Sequence, residues 1–214
     1  MEPIKKILIP LVDPLHADPY VKLGAALLPP EGRILALRIV EIPEGESLST
    51  GAEKAPVYRA ALEDLNVQVA DERVELRTLV RVSHGLSEGI ATTAKEEGCD
   101  LLILPWKGYS SSDERFFGAT IDRLLEHPPC KIIVVRATDP SGCKRLLLPI
   151  RGGPYAEFAL EVAARLASAF AGEVTVLHCE QESPLPESRD RLYRSLFRKL
   201  RSHLAVKRWV TIQG

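Results

Sequence analysis

The sequence has no excess of either charge: 28 Lys and Arg stand against 29 Asp and Glu in 214 residues, a net charge of -1. This balance leaves no global basic field to hold nucleic acid or an anionic membrane. There is also no apolar run of the roughly 18–20 residues that a membrane-spanning helix needs. The N-terminal apolar run is interrupted by Pro10, ends at Asp13 and has no small-residue cleavage site, so it is not typical of a signal peptide. We therefore expect a cytoplasmic chain that binds no nucleic acid.

Several motifs of metal and nucleotide enzymes are also missing. The four cysteines form no C-x-x-C pair and the five histidines have no ligand spacing, so the sequence predicts no metal site. It has no Walker A motif, no G-x-G-x-x-G and no H-E-x-x-H. Cys99 and Cys130 each precede a strand-like run, and we interpret them as small buried hydrophobes in a reducing compartment.

The sequence does contain short, continuous apolar runs separated by helical patterns. Runs without polar alternation are typical of parallel strands that are buried on both faces. Their strict alternation with helices predicts a doubly wound α/β domain with a five-stranded parallel sheet. The predicted strands are Ile7–Leu11, Ile34–Val40, Val74–Val82, Leu101–Leu104 and Ile132–Val135, and the predicted helices are Ala17–Leu28, Val57–Val69, Leu86–Glu97 and Gly118–Glu126.

A partial second copy of this pattern follows a linker rich in turn residues. Lys5–Pro10 (KKILIP) is matched about one domain length later by Lys144–Pro149 (KRLLLP), which indicates an internal repeat. Half a doubly wound domain leaves a sheet edge uncovered, and we therefore expect a homodimer or larger assembly. The predicted organisation is a complete domain at 1–137, a linker at 138–143 and a partial copy at 144–214, with an amphipathic helix at Glu187–His203 and a last strand at Val206–Ile212.

Segments that follow two of the strands carry a resemblance to a known family. Asp13 follows the first strand, and Pro105–Gly108 is followed after nine residues by Gly118. The chain resembles the universal stress protein family, whose nucleotide-binding members carry Gly, two residues, Gly, nine residues, Gly and then Ser or Thr in this place. Here Pro105 replaces the first glycine and Ala119 replaces the hydroxyl residue. The segments Val80–His84 and Pro105–Gly108 resemble those of tandem stress-protein domains appended to membrane transporters of cations or amino acids.

The resemblance implies the adenine-nucleotide-hydrolase-like fold of stress proteins, a non-enzymatic regulatory role and an adenine nucleotide, ATP or AMP, as ligand. In open parallel sheets, ligands lie beyond the carboxyl ends of strands where the strand order reverses. Asp13 would accept a hydrogen bond from the adenine amino group or a ribose hydroxyl, and Val40 would offer backbone groups to the base. The implied phosphate side comprises Lys107, Gly108, Gly118, Ala119 and Thr120. The implied partners are a second copy, paired through Ile132–Val135 or Leu146–Pro149, and a membrane transporter.

Two other functions remain open from the residues. One is an interaction domain that binds no nucleotide and docks a partner or a transporter. The other is a hydrolase, because Gly85–Gly89 matches G-x-S-x-G with Ser87 as the nucleophile and Asp100 and His127 as partners. Against the hydrolase, Ser83 is predicted to cap the helix that begins at Leu86, and both partners lie at the amino end of the sheet, opposite the crevice.

Overall fold

The computed structural model describes residues 3–12, 16–68, 74–108, 116–136, 140–150, 155–180 and 206–213, except the side chains of 63–68, 141, 178–180 and 206–213. It divides into two compact units, Met1–Pro140 and Ser141–Gly214. In the first unit, parallel strands alternate along the chain with helices. These are β1 (Lys6–Pro10), α1 (Asp18–Leu27), β2 (Arg33–Glu41), α2 (Leu48–Gln68), β3 (Glu75–Ser83), α3 (Leu86–Glu96), β4 (Leu101–Pro105), α4 (Ala119–Glu126) and β5 (Lys131–Val135).

The sheet of the first unit has the order β3-β2-β1-β4-β5, which confirms the predicted five-stranded doubly wound parallel sheet. Consecutive residues of the central strands are buried on both faces: Ile7, Leu8 and Ile9 of β1 are all fully enclosed. This two-sided burial is the physical reason that the strands appear in the sequence as unbroken apolar runs. The order reverses direction between β1 and β4, and this reversal positions the candidate site.

Helix α2 departs from the prediction at its start and on its buried face. It begins at Leu48, nine residues before the predicted Val57, and Pro56 lies inside the helix instead of in its first turn. Val57 is 72% exposed, whereas Leu62 is fully buried. The early turns are held close to the sheet at Gly51, where an added Cβ would lie 2.3 Å from Cγ1 of Val82. Tertiary packing therefore overrides the helix stop signal that proline gives.

The second unit contains β6 (Arg145–Ile150), α5 (Ala156–Ala169), β7 (Glu173–Glu180) and β8 (Val206–Gln213). Its strands are parallel in the order β6-β7-β8, so β6 lies at an edge of the described sheet, as expected. Leu160 and Ala163 of α5 pack on one face of this sheet with Val174 and Val176. The predicted helix Glu187–His203 lies outside the described residues. Within the described ranges, no helix combines the length and the apolar character needed to cross a bilayer.

Candidate functional site

A cavity of about 500 Å³ opens at the carboxyl ends of β1, β2 and β4, where the strand order reverses. This is the place at which an open parallel sheet offers a ligand crevice. Its walls are largely apolar and come from the three strands and the helices α2, α3 and α4. The apolar wall residues include Leu37, Ile39, Leu86, Ile90, Leu104 and Ile121.

Most of the predicted phosphate-side residues meet at this cavity. Lys107, Gly118, Ala119 and Thr120 all line it. Gly108 follows Lys107 directly but is not a lining residue. Val40 is buried in β2, and its strand neighbours Arg38, Ile39 and Glu41 line the cavity in its place. Asp13 lies outside the described residues.

Helix α4 begins at the cavity, and no side chain of the described residues is seen to cap its first backbone amides. Its N-cap Gly118 has φ 98° and ψ 162° and makes no side-chain capping hydrogen bond. This conformation is accessible almost exclusively to glycine. The first-turn amides that follow, on Ala119 and Thr120, have no partner within the helix, and the helix dipole makes this end attractive to an anion.

A carboxylate in the first turn of α4 is a site feature that the sequence reading missed. One oxygen of Asp122 accepts a hydrogen bond from the backbone N–H of Phe117 at 3.2 Å. Its other oxygen is buried and has no hydrogen-bond partner among the described residues. Asp122 also lines a neighbouring cavity of about 620 Å³. Its negative charge compensates the helix dipole and reduces the attraction of α4 for a phosphate. The acidic residue four positions after Gly118 was the available sequence signal.

Gly108 is favoured by the backbone conformation of the loop after β4. It has φ 91°, and an added Cβ would lie 2.6 Å from Nε of Arg136. The same loop continues the pairing of β4 with β5, because the N–H of Trp106 donates to the carbonyl of Val135 at 2.8 Å. Gly108 is therefore explained by local structure, whether or not the crevice binds a ligand.

Three aromatic rings pack together beside the crevice. Trp106 stacks on Phe116 with ring centroids 6.0 Å apart and contacts Phe117 edge-on at 5.1 Å. Phe116 is 74% exposed. Through these contacts Trp106 packs the loop after β4 against the segment before α4.

Arg38 is a second site residue that the sequence reading missed. Its Nη1 donates to the carbonyl of Leu11 at 3.2 Å and to the carbonyl of Val12, at the end of β1. Its guanidinium lies 4.9 Å from the ring centroid of Tyr58 in α2, within cation–π range. The signal was a single charge inside the otherwise apolar run Ile34–Val40.

Of the residues in the hydrolase hypothesis, Ser87 lines the neighbouring 620 Å³ cavity and Asp100 has a structural role. The carboxylate of Asp100 accepts hydrogen bonds from the backbone N–H groups of Lys5 and Lys6, at 2.8 and 2.9 Å, and so ties the start of β1 to β4. His127 is exposed at the C-terminal end of α4. Ser83 was wrongly predicted as a helix cap: it ends β3 in register with Glu41, and Gly85 is the N-cap of α3.

Cys99 is buried, Cys130 is half-buried, and neither of them lines the crevice. Burial raises the pKa of Cys99 from 9.0 to about 11 and that of Cys130 to about 12. Because these pKa values are raised in the folded chain, any stability from the buried thiols is present below pH 9 and is lost as the pH rises through about 11 to 12.

We expect a thiol reagent at pH 8 to modify the exposed Cys143 at least about a hundredfold faster than Cys99 and Cys130, because the thiolate is the nucleophile. Peptide mass spectrometry over a time course assigns each rate. Equal labelling of Cys99, Cys130 and Cys143 would contradict the raised pKa values of Cys99 and Cys130.

Comparison with known proteins agrees with this geometry. Residues 3–136 match the family model of the universal stress protein family. The chain is 26% identical over 190 residues to the Na(+)/H(+) antiporter NhaS5 of Synechocystis sp. (strain ATCC 27184 / PCC 6803 / Kazusa), a match that covers 85% of this chain. It spans about a quarter (26%) of the antiporter's length.

Two solved structures show the same fold over nearly the whole chain. A putative universal stress protein from Pseudomonas aeruginosa UCBPP-PA14 has a TM-score of 0.64 at 18% identity, covering 99% of this chain and 74% of its own. The cytoplasmic domain of a prokaryotic cation chloride cotransporter has a TM-score of 0.64 at 12% identity, covering 99% and 79%. With the family model matched across the complete α/β unit, the chain belongs to the universal stress protein family.

Proposed function

We propose that this chain is a non-enzymatic regulatory domain of the transporter-associated type, and that it binds an adenine nucleotide, ATP or AMP, in the crevice between β1 and β4. The observation that carries the proposal is the start of α4: an uncapped helix end with a glycine-specific backbone, facing a 500 Å³ cavity at the strand-order reversal. The similarity to an antiporter over 85% of the chain supports the transporter-associated role.

In this proposal the amides of Ala119 and Thr120 bind phosphate, and Gly118 allows its close approach. Lys107 adds a positive charge at the same end of the cavity. Asp13 and the backbone of Val40 take the adenosine part.

Three features of the chain lower the expected affinity. Pro105 replaces a glycine and has no N–H, Ala119 lacks the hydroxyl that would bond phosphate, and Asp122 brings a negative charge to the same helix turn. One lost charge-assisted hydrogen bond is worth about 1.5–3 kcal/mol, or roughly a tenfold to hundredfold loss in affinity. We therefore expect weak binding.

The second candidate is a domain that docks a partner and binds no nucleotide. It is favoured by the exposed Phe116 of the aromatic cluster and by the carboxylate of Asp122 at the phosphate end. Calorimetric titration with ATP, AMP and cyclic nucleotides separates the two candidates. A saturable heat with any of them supports the nucleotide site, and the absence of heat with all of them supports the docking domain.

We also propose a cytoplasmic location and a tandem arrangement in which 144–214 is a partial second copy after a complete domain at 1–137. The second unit repeats the strand–helix–strand pattern of the first, with α5 between β6 and β7. Single solved chains that cover 99% of both units support this arrangement.

Self-association is expected through two of the edge strands of the described sheets, β5 and β6. Leu147 on β6 is 64% exposed, and an open apolar edge invites another chain. Light scattering at micromolar concentration should give at least twice the chain mass of 23.6 kDa. Lysine at Leu147 should weaken an assembly through β6, and lysine at the exposed Val57 of α2 serves as the control. A monomer with both units folded would refute the assembly.

A further inference from the structure

Arg38 brings a positive charge to the crevice without a described acidic partner. It lies in β2 between Leu37 and Ile39 and lines the 500 Å³ cavity. Its contacts among the described residues are two carbonyl oxygens and the ring of Tyr58, and none of them is an anion. Glu41 lines the same cavity but makes no ion pair with Arg38.

Hydrogen bonds from one nitrogen, Nη1, hold the guanidinium of Arg38 in place. Both hydrogen bonds to the end of β1 leave from Nη1, and Tyr58 supports the guanidinium from α2. Its Nε is buried and has no acceptor in the described part of the chain. Nε and Nη2 together form the planar fork that binds carboxylate or phosphate with two parallel hydrogen bonds. The free edge is therefore fixed before any ligand arrives.

Trp106 supplies a second unsatisfied donor to the same cavity. Its Nε1 is buried and has no acceptor among the described residues, while its ring is fixed by Phe116 and Phe117. A buried donor without an acceptor is costly, and an acceptor-bearing ligand removes that cost for both groups at once. The same cavity is also lined by apolar side chains, including Leu37, Leu86 and Leu104.

We propose that the β2 side of the crevice is an oxyanion subsite, in which Arg38 and the indole N–H of Trp106 bind a carboxylate or phosphate group of a ligand whose apolar body packs on the cavity walls. This subsite uses Arg38 and Trp106, whereas the proposed nucleotide would place its phosphates on the backbone amides at the start of α4 in the same cavity. It goes beyond the proposed function, because it does not require the ligand to be a nucleotide.

A single-tryptophan protein provides the direct assay. The sequence has two tryptophans, so Trp209→Phe leaves Trp106 as the reporter inside the subsite. Benzoate, phenyl phosphate and benzyl alcohol share an aromatic body and differ in the head group. We expect both anions to change the Trp106 fluorescence saturably and benzyl alcohol to bind at least about tenfold more weakly. The anion that binds with the higher affinity shows whether the subsite prefers a carboxylate or a phosphate group.

Substitutions then assign the donors. Arg38→Gln should weaken binding of the preferred anion by roughly tenfold to a hundredfold. Arg38→Lys, which keeps the charge but loses the planar fork, should weaken this binding by several-fold. Trp106→Phe, followed by calorimetry, should weaken it by about tenfold. Arg33→Gln is the matched control: Arg33 lies at the other end of β2 and pairs with Glu75 at 2.7 Å, so anion affinity should not change.

Two results would overturn the subsite: no saturable response to either anion in the unsubstituted protein, or an equal loss of affinity in Arg33→Gln and Arg38→Gln. The test is separate from that of the proposed function. A protein that ignores ATP but binds benzoate through Arg38 would refute the nucleotide site and support the subsite, and the reverse pattern would refute the subsite alone.

Discussion

Replacing Gly118 by valine is expected to abolish adenine nucleotide binding in calorimetric titration. Gly118 starts α4 with φ 98° and ψ 162°, a backbone region that costs a residue with a side chain about 1–3 kcal/mol. Relaxing this strain turns the first amides of α4 away from the cavity, and the branched side chain fills the space through which phosphate approaches. Both effects act on the backbone amides at the start of α4, which carry the proposed function.

The control must impose the same backbone strain away from the crevice. Gly45 has φ 93° and no atom within 4 Å of an added Cβ, so Gly45→Val destabilises the fold without touching the site. We expect Gly45→Val to retain nucleotide affinity at a temperature where both variants are folded. Asp13→Ala should weaken binding without unfolding the chain. Unchanged affinity in both Gly118→Val and Asp13→Ala would disprove the site assignment.

The sheet could be predicted because its signal is local in the sequence. Central strands buried on both faces require consecutive apolar residues, and the runs around Leu8, Leu35 and Leu102 meet that requirement. Strand boundaries in the first unit differ from the prediction by at most one residue. They differ because flanking residues such as Lys6 and Pro105 also pair with the neighbouring strand. The crevice follows from the strand order.

The charged residues of the site could not be predicted, because their roles depend on contacts distant in sequence. Arg38 is fixed by the end of β1 and by Tyr58, neither of which is near it in the chain. The same applies to α2: Gly51 packs against Val82, and this contact decides which face is buried. The position of Asp122 could have been predicted from the sequence, because acidic residues are favoured in the first turn of a helix.

The presence of Pro105 in place of the first glycine of the family pattern also has a structural reason. Pro105 ends β4 and pairs with Val135, and the next residue continues the ladder through its N–H. A proline is tolerated here because its φ suits an extended strand end. The loop between β4 and Gly108 is therefore tied to β5 by backbone pairing and by the packing of Gly108 on Arg136. A loop anchored in this way has less freedom to wrap a phosphate than one that begins with glycine.

The largest stability effect is expected from Leu102→Ala. Leu102 is fully buried in β4, pairs with Leu8 on one side and Ile132 on the other, and belongs to the cluster that includes Leu35. Removing a buried leucine side chain loses its transfer free energy and leaves a cavity that the backbone ladder on both sides prevents from collapsing. The expected cost is about 2–5 kcal/mol, a large part of the roughly 5–15 kcal/mol by which a domain is stable.

Urea unfolding followed by circular dichroism measures this cost as a lower midpoint with an unchanged m-value. Leu48→Ala is the matched control, because the same atoms are removed from a side chain that is 51% exposed, and its effect should stay within about 0.5 kcal/mol. The difference between the two variants isolates burial in β4 from the chemistry of the substitution. Equal midpoints would mean that β4 is not buried at the centre of the core. They would also contradict the crevice, because the crevice depends on β1 and β4 lying side by side.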